Sequence, residues 1–405
     1  MTAGSLPGAG SPSGAAPDLG AALGLLDRLV AFPTVSRDGN LDLIRWVADR
    51  LAEAGIAARL YPAPSGDRAS LFATIGPPGA GGVVLSGHTD VVPVTGQAWT
   101  SDPFRLRADG GRLHGRGTAD MKGFVACAIE AATAAAGRRL ARPLHLALSY
   151  DEEIGCVGVR PMLADLAAAG LSPGLVLVGE PTSMTVATGH KGKLAARALC
   201  RGHAAHSALA PTGLNAIHLA ADFVAALRAE QAALEAEGAR DPGYDVPYTT
   251  VHAGLIAGGT ALNIVPDAAG VDFEIRDVAA AESRAVLDRL FAAAERISAP
   301  GRTRFPETGI ALTVENAYPG LDTDRAGTAA RTAAALAGTG FSKVAFGTEG
   351  GLFVEALGAP VVVCGPGSMD QGHKPDEFVT AADLSACRAM LARLVDRLGD
   401  GAASE

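Results

Sequence analysis

The chain has 405 residues, of which 48% are hydrophobic and 19% charged, and its net charge at pH 7 is -9. Its 51 glycines and 24 prolines fall short of the roughly 25–30% that is typical of disordered low-complexity chains, so the composition indicates a folded protein of about two or three domains. The acidic balance and the lack of a Lys/Arg-rich block argue against nucleic-acid binding, and no apolar run of about 18 residues is present to span a membrane.

The first segment, residues 1–17, is rich in Gly, Ser and Pro. It lacks the basic start and apolar centre of a signal peptide, so we predict a flexible tail. The five cysteines are widely spaced and none lies in a C-x-x-C pair. We therefore expect reduced core thiols in a cytoplasmic protein.

From residue 18 onward, helical and strand patterns alternate. The patterns predict helices at residues 19–32, 41–55, 123–137 and 159–170, and strands at residues 81–87, 143–150 and 175–181. This interleaving is typical of an α/β sheet with helices on its faces. We expect one α/β domain to consist of residues 18–190 and 318–405, since a strand at 359–365 and helices at 328–338 and 381–399 continue the same alternation.

The middle section, residues 191–317, has a different order of elements. Strands are predicted at residues 193–202, 249–259, 269–278 and 310–317, and helices at residues 215–238 and 282–298. The order β-α-β-β-α-β predicts a ferredoxin-like domain inserted into the first one. In its long first helix, Ile217, Ala221 and Val224 lie on one apolar stripe.

Ionisable side chains collect where predicted strands end or in the loops that follow them. They are His88 and Asp90 in SGHTD, Asp120 in GRGTADMKG, Glu152 and Glu153 in YDEEIG, Glu180 in GEPTS, and His373 in GPGSMDQGHKPDEF. Each one alone has an ordinary interpretation as a helix cap, turn residue or buried hydrogen-bonded His. Together they should converge, because loops at the carboxyl ends of strands form the ligand crevice of an open α/β sheet. So many buried charges would destabilise the fold unless a cation compensated them.

Mixed His and carboxylate ligands suit zinc, cobalt or manganese. In H-x-D on a strand, both side chains point to one face, so the Asp90 carboxylate is placed to accept the second ring N–H of His88 and orient it. The adjacent Glu152 and Glu153 point in different directions, so one can bind metal while the other acts as general base toward a metal-bound water.

The strings SGHTDVVP, GRGTADMKG, DEEIGCVG, GEPTS, RGHAAHS and GHKPDEF resemble the M20 family of dinuclear metallo-aminoacylases and peptidases. The resemblance implies a zinc-peptidase-like mixed sheet flanked by helices, with the inserted ferredoxin-like domain as a lid and dimerisation domain. It also implies two divalent metal ions, with zinc as the expected metal and cobalt as the alternative. One metal would be held by His88, Asp120 and Glu180, and the other by Asp120, Glu153 and His373.

By the same resemblance, Glu152 is the general base and acid, and the Asp120–Met121 peptide is cis. His206, in RGHAAHS, would reach the active site of the other subunit and stabilise the oxyanion there, which implies a homodimer with a closing lid. The alternative for His206 is an ordinary surface loop residue.

Two lid residues are expected at the substrate. The resemblance places Asn263, in LNIVPD, and Arg276, in FEIRD, beside it, and an arginine is suited to bidentate capture of a carboxylate. The alternative is that both are polar groups on edge strands.

The segment FGTEGGLF, residues 346–353, is similar to that of the branch of the family that deacetylates N2-acetyl-L-ornithine in arginine biosynthesis. We hypothesise that Glu349 lies near the δ-ammonium of that substrate; the alternative is a structural loop carboxylate. Gly350 and Gly351 depart from the Ala-Pro or Ala-Gly of some relatives.

Two other functions stay open: hydrolysis of a different N-acyl amino acid or dipeptide, and metal or amino-acid binding without catalysis. Glu152 argues against the latter, because it is not needed to hold metal.

Overall fold

A computed structural model describes residues 18–278 and 282–399 of the chain. The predicted tail, residues 1–17, lies outside this described part. The helices are α1 (Ala22–Val30), α2 (Leu41–Glu53), α3 (Gly123–Ala136), α4 (Val159–Ala168), α5 (Ala216–Glu237), α6 (Glu282–Arg302), α7 (Thr328–Ala337), α8 (Gly350–Leu357) and α9 (Ala381–Gly399).

The strands of the larger sheet are β1 (Ala58–Pro62), β2 (Ala69–Ile75), β3 (Val83–His88), β6 (Leu144–Ser149), β7 (Leu175–Pro181), β8 (Val186–His190), β13 (Leu321–Asp322), β14 (Phe341–Val344) and β15 (Val361–Gly365). Those of the second sheet are β9 (Lys193–Arg201), β10 (Thr250–Gly258), β11 (Ala268–Arg276) and β12 (Gly309–Tyr318). A small third sheet contains β4 (Arg107–Asp109), β5 (Arg112–His114) and β16 (Phe378–Thr380).

The large sheet has the order β1-β2-β6-β3-β7-β15-β8-β13, with β14 beside β8. Its central strands β6, β3, β7 and β15 run parallel, while β1, β2 and β13 pair antiparallel. Successive strand residues face opposite layers: Leu85 packs in the cluster with α1, α3 and α9, whereas Val84 packs with α4 and α8. The predicted mixed sheet with helices on both faces is confirmed, and the carboxyl ends of its central strands share one edge.

Several elements carry too little pattern to be predicted. The strands β1, β2, β8 and β14 and the helix α8 were absent from the predicted set. These segments are short, from four to eight residues, and such segments are recognised mainly by their neighbours in the sheet.

The second sheet is antiparallel, in the order β10-β11-β9-β12, and α5 and α6 pack against it. Its elements follow one another along the chain as β-α-β-β-α-β. The predicted stripe of α5 is only partly right. Val224 packs against the core of the second sheet, but Ala221 is exposed and Ile217 is 38% exposed. The buried residues of the helix are Ala216, Leu219, Ala220, Phe223, Leu227 and Leu234. Alanine on every side of this helix makes its apolar faces hard to tell apart from sequence, so packing on the sheet decides which one is buried.

All five cysteines are free and buried. Among the helices of the described residues, none combines the length and apolarity that a bilayer crossing requires.

Candidate functional site

The common edge of the parallel strands brings six of the predicted residues together. They are His88 at the end of β3, Asp120 in the turn before α3, Glu152 and Glu153 after β6, Glu180 in β7, and His373 in the loop after β15. The Asp120–Met121 peptide is cis, as the resemblance implies. The convergence follows from strand direction, since parallel neighbours end at the same edge of the sheet.

Asp120 lies between the two histidines. Its Oδ1 is 2.9 Å from Nε2 of His88, and its Oδ2 is 3.2 Å from Nε2 of His373. A carboxylate that presents one oxygen to each of two imidazoles has the arrangement of a ligand bridging two cations. Glu180 lies 3.6 Å from Nε2 of His88, and Glu153 lies 3.0 Å from Nε2 of His373.

Two groups of three side chains each bring their potential ligand atoms within 4.8 Å of one another. One group is His88, Glu152 and Glu180, and the other is His88, Asp120 and Glu153. These sets differ from the two predicted ones, because His88 belongs to both and His373 to neither. The donor types, imidazole nitrogen and carboxylate oxygen, fit a transition-metal cation. The residues present therefore fit the metal chemistry expected from the sequence.

Burial makes the charged form of these carboxyl groups costly. It raises the pKa of Glu152 to about 8 and of Glu153 to about 7, with neighbouring carboxylates adding to both shifts, and it raises the pKa of Glu180 well above its usual range. For His373 the charged form is favoured, because hydrogen bonds to Asp120 and Glu153 raise its pKa to about 10. A bound cation would replace the protons that these groups retain at neutral pH.

His88 is oriented by Asp90. Its Nδ1 is 2.9 Å from the backbone carbonyl oxygen of Asp90 and 3.5 Å from the carboxylate, so the carbonyl is the nearer acceptor. A carbonyl only accepts, so Nδ1 carries a proton. Nε2 faces the Asp120 carboxylate, which helps to raise the pKa of His88 despite its burial, and loss of the Nε2 proton would free that lone pair for a metal. The Asp90 carboxylate instead accepts from the backbone N–H of Glu152 at 3.0 Å and from the Ser36 hydroxyl at 2.7 Å. It thereby ties the Glu152 loop to β3.

Glu377 supports the turn that carries Asp120, and the sequence reasoning missed it. Its carboxylate accepts from the backbone N–H groups of Ala119 and Asp120 at 2.9 and 3.1 Å, and from that of Gly117 at 3.1 Å. Nη1 of Arg116 donates to it at 2.6 Å, and both side chains are 1% exposed. The only sequence signal was its place in GHKPDEF, four residues after His373, which had already been singled out.

Cys156 also went unrecognised as a site residue. Its thiol donates to Oε1 of Glu152 at 3.2 Å. The loop between them is held by Asn316 of β12, whose Nδ2 donates to the carbonyl oxygens of Ile154 and Gly155 at 3.1 and 2.9 Å. Any side chain on Gly155 would collide with that amide, and its φ of +117° also favours glycine.

A cavity of about 110 Å³ opens at the site. Its wall is formed by Asp120, Glu152, Glu153, Gly155, Glu180, Lys193, Arg276, Tyr318, Phe346, Gly347, Met369 and His373. Arg276 is thus brought to the site as expected. Nη1 of Arg276 donates to the Tyr318 hydroxyl at 3.3 Å, so the second sheet covers one side of the cavity.

His206 and Asn263 are not part of this wall. They lie together on the exposed surface around the second sheet, where the Asn263 carbonyl oxygen accepts from the backbone N–H of Ser207. Glu349 does not line the cavity either. It is 1% exposed and lies behind the site, where the Ser86 hydroxyl donates to its Oε2 at 3.3 Å; burial raises its pKa to about 7.

Residues 84–397 match the family model described as Peptidase family M20/M25/M40. The chain is 32% identical over 379 residues to a protein of Proteus mirabilis named acetylornithine deacetylase, an alignment that covers 92% of this chain and 95% of that protein. It is 31% identical over 392 residues to a protein of the same name from Pasteurella multocida, covering 94% and 98%.

Solved structures share the fold. An M20 family metallo-carboxypeptidase of Sulfolobus solfataricus superposes with a TM-score of 0.77 at 18% identity, covering 93% of this chain and 99% of that one. A Bacillus subtilis protein described as a dinuclear metal binding peptidase from the M20 family has a TM-score of 0.67 at 18% identity, covering 94% and 98%.

Proposed function

The chain belongs to peptidase family M20/M25/M40 and is a metal-dependent hydrolase of amides, and from this premise we propose that it removes the acetyl group from N2-acetyl-L-ornithine. The products would be ornithine and acetate, in a reaction of arginine biosynthesis. The observation that carries the proposal is the similarity to acetylornithine deacetylases over more than nine-tenths of the chain.

We further propose that two divalent ions, zinc or alternatively cobalt, bind at the site. His88, Asp120 and Glu180 would hold one, and Asp120, Glu153 and His373 the other. The support is the position of Asp120, with one oxygen toward each histidine. When bound, the metals would supply Lewis acidity, which polarises the amide carbonyl and lowers the pKa of a water molecule toward neutrality.

Glu152 would move the protons of the reaction. Burial raises its pKa to about 8 in the metal-free protein, and nearby cations would lower this value toward the range in which a carboxylate both accepts and returns a proton near neutral pH. The backbone contact to Asp90 and the thiol of Cys156 hold it in place. Glu152 would take a proton from the attacking water and return it to the leaving amine.

Three residues are proposed to contact the substrate. Arg276 would bind the α-carboxylate, and Glu349 would attract the δ-ammonium of acetylornithine. Asn263, which lies outside this cavity, would reach the substrate only when the lid closes. A second candidate substrate, an N-acetyl amino acid with an uncharged side chain, is favoured by one observation: Phe346 and Met369 line the cavity, whereas Glu349 lies behind its wall.

A substrate panel separates the two candidates. We expect the highest kcat/KM for N-acetylornithine when the metal-loaded protein is assayed against N-acetylcitrulline, N-acetylmethionine, succinyl-diaminopimelate and dipeptides. A higher value for N-acetylmethionine would favour the uncharged side chain. Elemental analysis of the purified protein identifies its metal.

We also propose that the protein is a homodimer in which His206 of each subunit serves the site of the other. The support is that His206 lies outside the cavity of its own chain, in a region that exposes large apolar side chains. They are Leu209, Leu255, Ile256, Leu262 and Ile264, with exposures from 43% to 102%. Such a surface is typical of a contact between protein chains.

Mixing two inactive variants tests this arrangement. In a dimer that combines His206→Ala with Glu152→Gln, one site has both intact residues, so random mixing should restore about a quarter of the wild-type activity. Each variant incubated alone is the control. If His206 acted within its own subunit, the mixture would stay as inactive as the two variants.

A further inference from the structure

Three charged side chains lie next to one another where the second sheet meets the cavity. Lys193 begins β9, and Glu274 and Arg276 are two residues apart near the end of β11. Residues two apart on a strand face the same side, and here that side is opposite α5 and α6. Lys193 and Arg276 both line the cavity wall.

Glu274 joins the two cations. Nε and Nη2 of Arg276 donate to its two carboxylate oxygens at 3.1 and 3.4 Å, and Nζ of Lys193 lies 3.5 Å from Oε2. Burial alone would raise the pKa of Glu274, but these two cations hold it below its usual range. Glu274 is therefore ionised, and it keeps two like charges together that would otherwise repel.

The group carries one net positive charge. The three side chains are 24%, 30% and 27% exposed, so they are partly shielded from water and still open to a ligand. One bound carboxylate would neutralise the group. A second carboxylate would face Glu274 without a free cation to balance it.

We propose that Lys193, Glu274 and Arg276 form a charge-selecting group that admits N-acyl amino acids with one carboxylate and rejects those with two. This inference rests on the proposed function. It adds two specificity residues to Arg276: Lys193 as a second contact for the carboxylate, and Glu274 as the group that sets the net charge.

The expected effects follow from the charges. A hydrogen bond between charged partners contributes enough that its loss should lower affinity about 10-fold to 100-fold. Lys193→Met should therefore weaken binding of the carboxylate substrate by that factor while leaving binding of the corresponding α-carboxamide unchanged. Glu274→Gln keeps the shape and one oxygen acceptor but raises the net charge by one, so it should favour a substrate with two carboxylates.

The second sheet offers matched controls. Arg197 and Asp272 lie on the same face, with Nε of Arg197 3.4 Å from Oδ1 of Asp272, and neither lines the cavity. Arg197→Met removes a cation about 13 Å farther along β9 than Lys193, and Asp272→Asn removes a carboxylate about 7 Å from Glu274 along β11. They should leave substrate preference within twofold of wild type.

The experiment compares N-acetylglutamine, its α-carboxamide and N-acetylglutamate. Dissociation constants are measured by calorimetry on the metal-free protein, and kcat/KM on the metal-loaded protein. We expect Lys193→Met to reduce the preference for N-acetylglutamine over its amide, and Glu274→Gln to raise the ratio of N-acetylglutamate to N-acetylglutamine, each about 10-fold or more.

The outcomes distinguish failure of the charge-selecting group from failure of the proposed function. Unchanged ratios in both variants, with normal thermal unfolding, would overturn the charge-selecting group even if the enzyme hydrolyses N-acetyl amino acids well. A wild-type protein that hydrolyses no N-acyl amino acid would instead overturn the proposed function.

Discussion

Replacing Glu377 by Gln should destabilise the protein and weaken metal binding together. The substitution keeps the size of the side chain but leaves the buried Arg116 guanidinium without its carboxylate. It also turns an amide donor toward backbone N–H groups that now donate to Glu377, those of Gly117, Ala119 and Asp120.

The size of the effect can be worked out from these contacts. Removing one partner of a buried ion pair costs about 3–5 kcal/mol. Burial raises the pKa of Glu377 despite the pull of Arg116, so the pair is less favourable than an ideal one and we expect about 3–4 kcal/mol. With an unfolding entropy of about 2.1 cal/mol/K per residue, each kcal/mol lowers the melting temperature of this 405-residue chain by about 1 °C, which gives a decrease of roughly 3–5 °C.

Metal affinity should fall as well, because two of the four hydrogen bonds of Glu377 hold the backbone of Ala119 and of Asp120, the proposed metal ligand. Loss of a group that orients a ligand typically weakens metal binding about 10-fold to 100-fold. The assays are thermal unfolding of the metal-free protein and zinc titration against a chelating indicator. Glu355→Gln, at an exposed position of α8, is the control. A Glu377→Gln protein that melts and binds zinc like this control would refute the reasoning.

Three further predictions concern the site itself. Glu152→Gln should lower kcat about 10²-fold to 10⁴-fold while elemental analysis shows unchanged metal content; turnover within a few-fold of wild type would exclude its role as general base. Burial raises the pKa of Glu152 to about 8 and that of Glu153 to about 7, and the carboxylate partners of His373 raise its pKa to about 10. At these three groups the folded metal-free protein therefore binds more protons than the unfolded chain. Its melting temperature should therefore fall as pH rises from about 5 to 8.5, and saturating zinc should reduce this dependence; a metal-free protein that becomes more stable over that range contradicts the argument. Glu349→Gln should reduce the preference for N-acetylornithine over N-acetylnorvaline, and an unchanged ratio of kcat/KM would eliminate Glu349 as the ammonium contact.

The sequence by itself determined the fold class and the six residues that converge at the edge of the sheet. Alternating helical and strand patterns specify helices on both faces of a sheet, and parallel strands must end at one edge. For this reason His88, Glu153 and Glu180, each placed at or just after a predicted strand, could be brought together before any coordinates were known.

Only the tertiary structure decided what surrounds those residues. Glu377 and the Asp120 turn are far apart in the chain, and no local pattern links a buried carboxylate to the backbone it will accept from. The buried face of α5 was likewise settled by the sheet on which it packs, because its alanines leave several faces nearly equivalent. Lys193 and Glu274 meet only because β9 and β11 are neighbours in register, a pairing of residues 81 positions apart. Sequence patterns report local periodicity and strand ends, whereas contacts between distant segments depend on the packing of the whole chain.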